Sequence, residues 1–245
     1  MQNKDLKDAR GFREVTKDFQ KFCGNRYIFC TWGELDLLEL QRNMKFYHMG
    51  SFSDRPFKYL DAQKLFSICF EDGKSRRTLI YAVEFLGIEK SKPFHRAFSD
   101  AYYTAKVLEK IDDYVIDKYV SFDIFERAKN KRNEIKHYFP NYFKYISMEY
   151  NNKTELFNDR DVSSTKCYLC NRKTQSIVDT FTNNGKHYYG VGYCKRHGYI
   201  KSKIRIKRTE EKNVYVVKTM KIVKREVVNQ IKLQSEKIEE ESKQD

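Results

Sequence analysis

Two groups of residues in this 245-residue sequence have types and spacings that do chemistry. The first is Cys167-Tyr168-Leu169-Cys170 with Cys194-Lys195-Arg196-His197. A C-x2-C hook offers two thiolates at the bite of a tetrahedral ion, and a C-x2-H hook about 24 residues on completes four ligands. Four protein ligands close the coordination sphere, so the expected ion is a structural Zn²⁺ and not a catalytic one. The bland alternative, buried thiols beside a surface histidine, explains the paired spacing poorly. His187 is a spare ligand, ranked below His197 because it lacks the hook spacing.

The second group is His95 and Asp100, within the run Pro93 to Ala105. A neutral imidazole takes a proton from water near pH 7. A carboxylate a turn further on holds a hard cation such as Mg²⁺ through oxygen. Together they suit metal-assisted hydrolysis of a phosphodiester. Ala97, Ala101 and Ala105 permit close packing along the same helix. On spacing alone, a His-x4-Asp pair is more often surface decoration.

The surrounding residues change that weighting. The run from His95 to Leu108, HRAFSDAYYTAKVL, resembles the third motif of the DEDDh 3′→5′ exonucleases, a family that includes polymerase proofreading subunits, RNase T type enzymes and oligoribonucleases. Phe29-Cys30-Thr31-Trp32-Gly33-Glu34-Leu35-Asp36 resembles the family's second motif, in which a strand ends, the chain turns at Trp-Gly and an Asp heads the next helix. The run from Thr78 to Glu89 resembles the helix before the third motif. The likeness covers roughly residues 5–112. It implies an RNase H-like α/β fold. It also implies His95 as general base, Asp100 and Asp36 as ligands of two Mg²⁺ or Mn²⁺ ions, and hydrolysis of a single-stranded 3′ end, DNA or RNA, to nucleoside monophosphates. For Asp36 alone, the plain reading is a helix-N-terminal carboxylate opposing the dipole, which is compatible with that role.

The family also uses an Asp-x-Glu pair on the first strand of its sheet. The residues before Asp36 read as the tail of a loop and one helix, and Asp5 and Asp8 lie in a charged stretch unsuited to the part. The expectation is a fold lacking its first strands, entered midway, and nearly inactive by itself. The rival readings are a catalytically silent nucleic-acid-binding protein and a gene fragment.

The elements that must position these groups follow from periodicity. Phe12, Val15, Phe19 and Phe22 recur at helical spacing, and Tyr27 to Cys30 forms the apolar centre of a short strand spanning 25–31. Helices are expected over 34–47, 62–70 and 75–86, the last closed by Gly87, and over about 95–111. Lys58 to Leu60 is a short strand. Helices between short strands indicate a layered α/β domain over 1–112. A partly helical connecting segment covers 113–165, a small zinc-ribbon-like β module 166–233, and a polar tail 234–245. Within the module, 203–208 and 214–223 read as strands around a turn at 209–213.

Bulk properties agree with this picture. Forty per cent hydrophobic residues, with 18 Tyr and 18 Phe, suffice for a core. A net charge of +14 favours an anionic partner, though its even spread weakens that inference. Lys201, Lys203, Arg205, Lys207 and Arg208 suit either a phosphate backbone or a solvated face, and Tyr188, Tyr189 and Tyr193 suit either base stacking or a small core. No run of about 18 apolar residues and no signal-peptide pattern occurs, so the expected location is cytoplasmic, with reduced thiols. Cys23, Cys30 and Cys69 are then expected to be small buried hydrophobes.

Overall fold

The computed structural model describes residues 9–241, so Asp5, Asp8 and the last part of the polar tail lie outside the described residues. It is mixed α/β and divides into two compact units, one running to Glu126 and one from Arg127.

The first unit contains α1 (Phe12–Cys23), β1 (Cys30–Thr31), α2 (Leu35–Phe46), β2 (Phe57–Asp61), α3 (Ala62–Phe70), α4 (Leu79–Phe85), α5 (Ala97–Leu108), α6 (Asp113–Lys118) and β3 (Ser121–Asp123). Strand β2 is central, parallel to β1 with Cys30 opposite Leu60 and antiparallel to β3 with Tyr59 opposite Ser121. Leu65 and Phe66 of α3, Ala82 and Val83 of α4, and Tyr103 and Val107 of α5 pack into the buried core beside Leu60. Helix α3 starts where the Asp61 carboxylate accepts from the Lys64 backbone N–H at 3.0 Å, an N-cap bond. Helix α4 starts later than periodicity suggests, at Leu79 and not Ser75. Asp72 accepts from the backbone N–H groups of Lys74 and Ser75 at 2.8 and 2.7 Å, holding that stretch in a turn, and Thr78 supplies the cap. The expected strand over 25–31 contracts to Cys30–Thr31. Cys23, Cys30 and Cys69 are half-buried and not fully buried; Cys30 and Cys69 lie against the core, and burial pushes the Cys30 thiol up to about 11.

The second unit contains β4 (Ile135–Tyr138), β5 (Phe143–Ile146), α7 (Lys153–Asn158), α8 (Arg160–Ser163), β6 (Gln175–Thr182), β7 (His187–Cys194), β8 (Gly198–Arg208), β9 (Val214–Val223) and α9 (Arg225–Glu241). Its six strands form one antiparallel sheet in the order β4-β5-β9-β8-β7-β6, larger than a ribbon. The stretch 113–165 is therefore divided: α6 and β3 belong to the first unit, and β4, β5, α7 and α8 to the second. On one sheet face Tyr145, Ile204, Ile206, Val214 and Val216 pack with Leu156 and Val162 of α7 and α8. The ammonium of Lys218, on that face, donates to the carbonyls of Asp161, Val162 and Ser164 at 3.0, 2.8 and 2.7 Å, fastening the end of α8 to the sheet. Burial lowers its pKa to about 8. On the other face Val228 and Ile231 of α9 cover Val178 and Val191. The expected polar tail from Gln234 is thus helical to Glu241, with Ser235 buried. No helix among the described residues is long and apolar enough to cross a membrane.

Candidate functional site

Cys167 and Cys170 sit on a tight hairpin. The Cys167 N–H donates to the Arg172 carbonyl at 2.9 Å, the Asn171 N–H donates to the Cys167 carbonyl at 2.7 Å, and Asn171 takes the left-handed conformation such a turn needs. Cys194 and His197 bracket the turn between β7 and β8, closed by a bond from the His197 N–H to the Cys194 carbonyl at 3.2 Å. These two hooks meet because Gly192 lets the hairpin lie on β7: a Cβ there would stand 2.2 Å from Thr174 Oγ1.

The four ligand atoms all lie within 4.8 Å of one another. Cys170 Sγ is 3.7 Å from Cys194 Sγ, and His197 Nδ1 is 3.3 Å from Cys167 Sγ and 3.7 Å from Cys194 Sγ. Zinc–sulfur bonds of about 2.3 Å and zinc–nitrogen bonds of about 2.0 Å in a tetrahedron put ligand atoms about 3.6–3.8 Å apart. The separations of 3.3–3.7 Å are close to that size and none exceeds 4.8 Å, so the arrangement can hold a metal ion such as zinc. Backbone N–H groups prepare the sulfurs for it. Those of Arg196 and then His197 point at the Cys194 sulfur, so its thiol is pulled down to about 6. Burial pushes the Cys167 thiol up, against the backbone N–H groups of Cys170 and Leu169. A cavity of about 300 Å³ opens beside Cys194, rimmed by Arg172, Lys173, Lys195 and Arg196. His187 is no part of the cluster: it starts β7 opposite Arg205, seven residues and so roughly 23 Å from Cys194.

In the first unit, β1 ends at the Trp32–Gly33 turn, and Asp36 follows in the first turn of α2. Gly33 has φ 93°, which its lack of Cβ allows, and Trp32 Nε1 anchors the turn on the Arg77 carbonyl at 3.1 Å. Asp100 lies in the first turn of α5. The two carboxylates are in electrostatic reach: although Asp36 is exposed as a residue, protein crowding its carboxyl and then the charge of Asp100 raise its pKa above the usual range. Such mutual repulsion is what a bound cation relieves. His95 precedes the helix with φ 62°, a backbone conformation rare outside glycine, and its N–H donates to Asp100 Oδ1 at 3.2 Å. Its imidazole is exposed, and Ala97, Ala101 and Ala105 are exposed too.

Sequence reasoning missed the backbone N–H groups that face the sulfurs and the cationic rim of the cavity. The latter was readable from Arg172-Lys173 and Lys195-Arg196, each adjoining a hook. Comparison with family models, curated proteins and solved structures returns no match to this chain.

Proposed function

We propose that the first unit is a DEDDh-type 3′→5′ exonuclease domain and the second a module built around structural zinc. The electrostatic coupling of Asp36 to Asp100, two positions 64 residues apart that the motifs single out, carries the first half of this reading. Asp36 and Asp100 would hold a Mg²⁺ or Mn²⁺ ion, which supplies charge stabilisation at a scissile phosphate. His95 takes the proton of the attacking water, and the bond from its own N–H to Asp100 ties its position to that carboxylate. Three thiols and an imidazole close the zinc site, so its contribution is to folding.

One observation favours a second reading, a nucleic-acid-binding protein without catalysis. Neither described strand of the first unit's parallel pair carries an Asp-x-Glu pair, and two carboxylates hold Mg²⁺ weakly because the ion gives up its waters reluctantly. The deciding assay is release of mononucleotides with Mg²⁺ or Mn²⁺, followed as stepwise 3′ shortening of a 5′-labelled single-stranded oligonucleotide. The exonuclease reading expects slow release, lowered roughly 10²–10⁴-fold by His95→Ala and abolished by Asp100→Asn. Release that neither substitution changes, or none at any metal concentration, leaves the binding reading.

A further inference from the structure

Strand β8 alternates strictly. Ile200, Ser202, Ile204 and Ile206 are buried on one face, so Lys201, Lys203, Arg205 and Lys207 share the opposite face, which α9 covers around Val191, directly across from Lys201. The register places Lys201 directly across from Lys221 of β9, and Lys203 across from Tyr189 of β7. Like charges directly opposite in an antiparallel pair destabilise it. The repulsion is visible in Lys201, whose pKa falls through burial and then the charges of Lys221 and Lys203. His187, across from Arg205, is lowered by burial and then by Lys203, Arg205 and Lys186. Among the described residues Lys201, Lys203, Arg205 and Lys221 pair with no carboxylate, and Lys203, Arg205 and Lys221 are exposed. From Thr180 to Thr209 the sequence holds eight Lys or Arg and no Asp or Glu. A face that sets like charges opposite one another, with no carboxylate of the described residues paired to Lys201, Lys203, Arg205 or Lys221, presents a surface shaped for an external anion.

The anion's form follows from what lies among the cations. The Lys203 and Lys201 ammoniums stand 5.6 and 5.7 Å from the centre of the Tyr189 ring, and Phe181 adjoins that ring at 6.1 Å. Tyr188, by contrast, points to the core and packs on Phe157. A line of cations spaced about 7 Å along one strand, with a flat ring beside it, suits a chain of phosphates carrying bases that stack. A lipid headgroup layer uses the charge but has no use for the ring. We infer that the face of β7, β8 and β9 carrying Tyr189, Lys201, Lys203, Arg205 and Lys221 binds single-stranded nucleic acid. It shares its partner class with the exonuclease reading but rests on different residues in the other unit.

The test uses the full, zinc-loaded chain without Mg²⁺ and follows anisotropy of fluorescein-labelled single-stranded DNA and RNA over a series of KCl concentrations. The double variant Lys203→Gln, Arg205→Gln is expected to bind at least tenfold more weakly and to flatten the slope of log affinity against log salt by about 1.4. Tyr189→Leu is expected to lose roughly tenfold with the slope unchanged. The exposed Lys237→Gln on α9 is expected to change neither. Zinc content reports that each variant is folded; should the double variant lose zinc, Arg205→Gln alone is expected to give half the slope change. An unchanged affinity and slope overturn the inference, as does an equal loss in Lys237→Gln. Binding to phosphatidylserine vesicles through these residues, with oligonucleotides ignored, overturns it in favour of a membrane surface. Binding through this face with no mononucleotide release after Mg²⁺ is added sinks only the exonuclease reading. Degradation by the double variant with unaltered affinity sinks only this surface.

Discussion

In the second unit four ligand atoms sit on two tight backbone hooks, and neighbouring N–H groups already face two of the sulfurs. In the first, two carboxylates sit on separate helices, and the charge of Asp100 adds to the crowding that raises the Asp36 pKa. The same contrast runs through the packing. Helices α7 and α8 cover one face of the six-stranded sheet, and α9 covers part of the other. The first unit has a three-stranded sheet with the two-residue β1 at its edge, and Phe22, Ile28, Leu35, Phe46 and Phe98 stand exposed on it, Phe98 at 75%. A site whose ligands are fixed by local backbone geometry is organised before the ion arrives. One assembled from distant helices depends on its whole unit.

That contrast predicts unequal responses to metal removal, the largest effect expected here. Structural zinc contributes about 10–16 kcal/mol of apparent binding energy in small zinc peptides, and part of that should be lost by the second unit when a strong chelator is added. Trp32 is the only tryptophan of the chain and lies in the first unit, so its fluorescence reports that unit alone. Chelation should abolish cooperative unfolding of the second unit's sheet in circular dichroism while the Trp32 transition stays within a degree or two. If both signals collapse together, the two units are not independent.

A finer cut at the same site is Gly192→Ala. The added methyl meets Thr174 Oγ1 at 2.2 Å and Thr174 Cβ at 2.8 Å, and the Thr174 hydroxyl is already committed to the Thr165 carbonyl at 2.6 Å. The Cys167–Cys170 hairpin must lift from β7, costing about 1–3 kcal/mol and releasing zinc faster to a competing chelator. Unchanged release kinetics would mean that the hooks find each other without this close approach.

The hooks were legible because their spacing is their geometry: two residues between ligands set the bite whatever lies around them. Helix α3 was legible for a similar reason, with Asp61 capping it locally. The hairpin around 209–213 followed from alternation, and β8 and β9 pair up to Arg208 opposite Val214. The burial of Lys218, which shares a face with Val216 and Met220, was not read from the sequence, because a lysine in an exposed-looking strand gives no sign of the three carbonyls that receive it. Strands β4 and β5 were not legible. Each has four residues, and β5 is a strand because β9 lies beside it, more than 70 residues away in sequence, with Phe143 opposite Met220. Helix α9 was hidden by its polarity, since few of its residues are buried and those few acquire meaning only over the sheet. His95 was placed at a helix start by its motif, but its left-handed backbone has no sequence signal.

The smallest effect separates two roles of Asp36. A carboxylate that merely opposes the α2 dipole stabilises the helix by about 0.3–1 kcal/mol, and Asp36→Asn would then lower the Trp32 transition. The structure raises the Asp36 pKa instead, through crowding by protein and then the charge of Asp100. For a carboxylate whose folded pKa lies above its unfolded one, the folded state holds the proton more tightly. The resulting stability is fully present below the unfolded pKa and is lost as pH rises through the folded pKa. At pH 7, therefore, ionised Asp36 gives the metal-free unit nothing, and Asp36→Asn should leave its transition unchanged or slightly higher. Mn²⁺ should then raise the transition of the wild-type chain and not that of the variant, because the ion relieves a repulsion the variant lacks. A lower transition in Asp36→Asn, with Mn²⁺ acting equally on both chains, would make Asp36 a helix-dipole residue and remove it from the carboxylate pair.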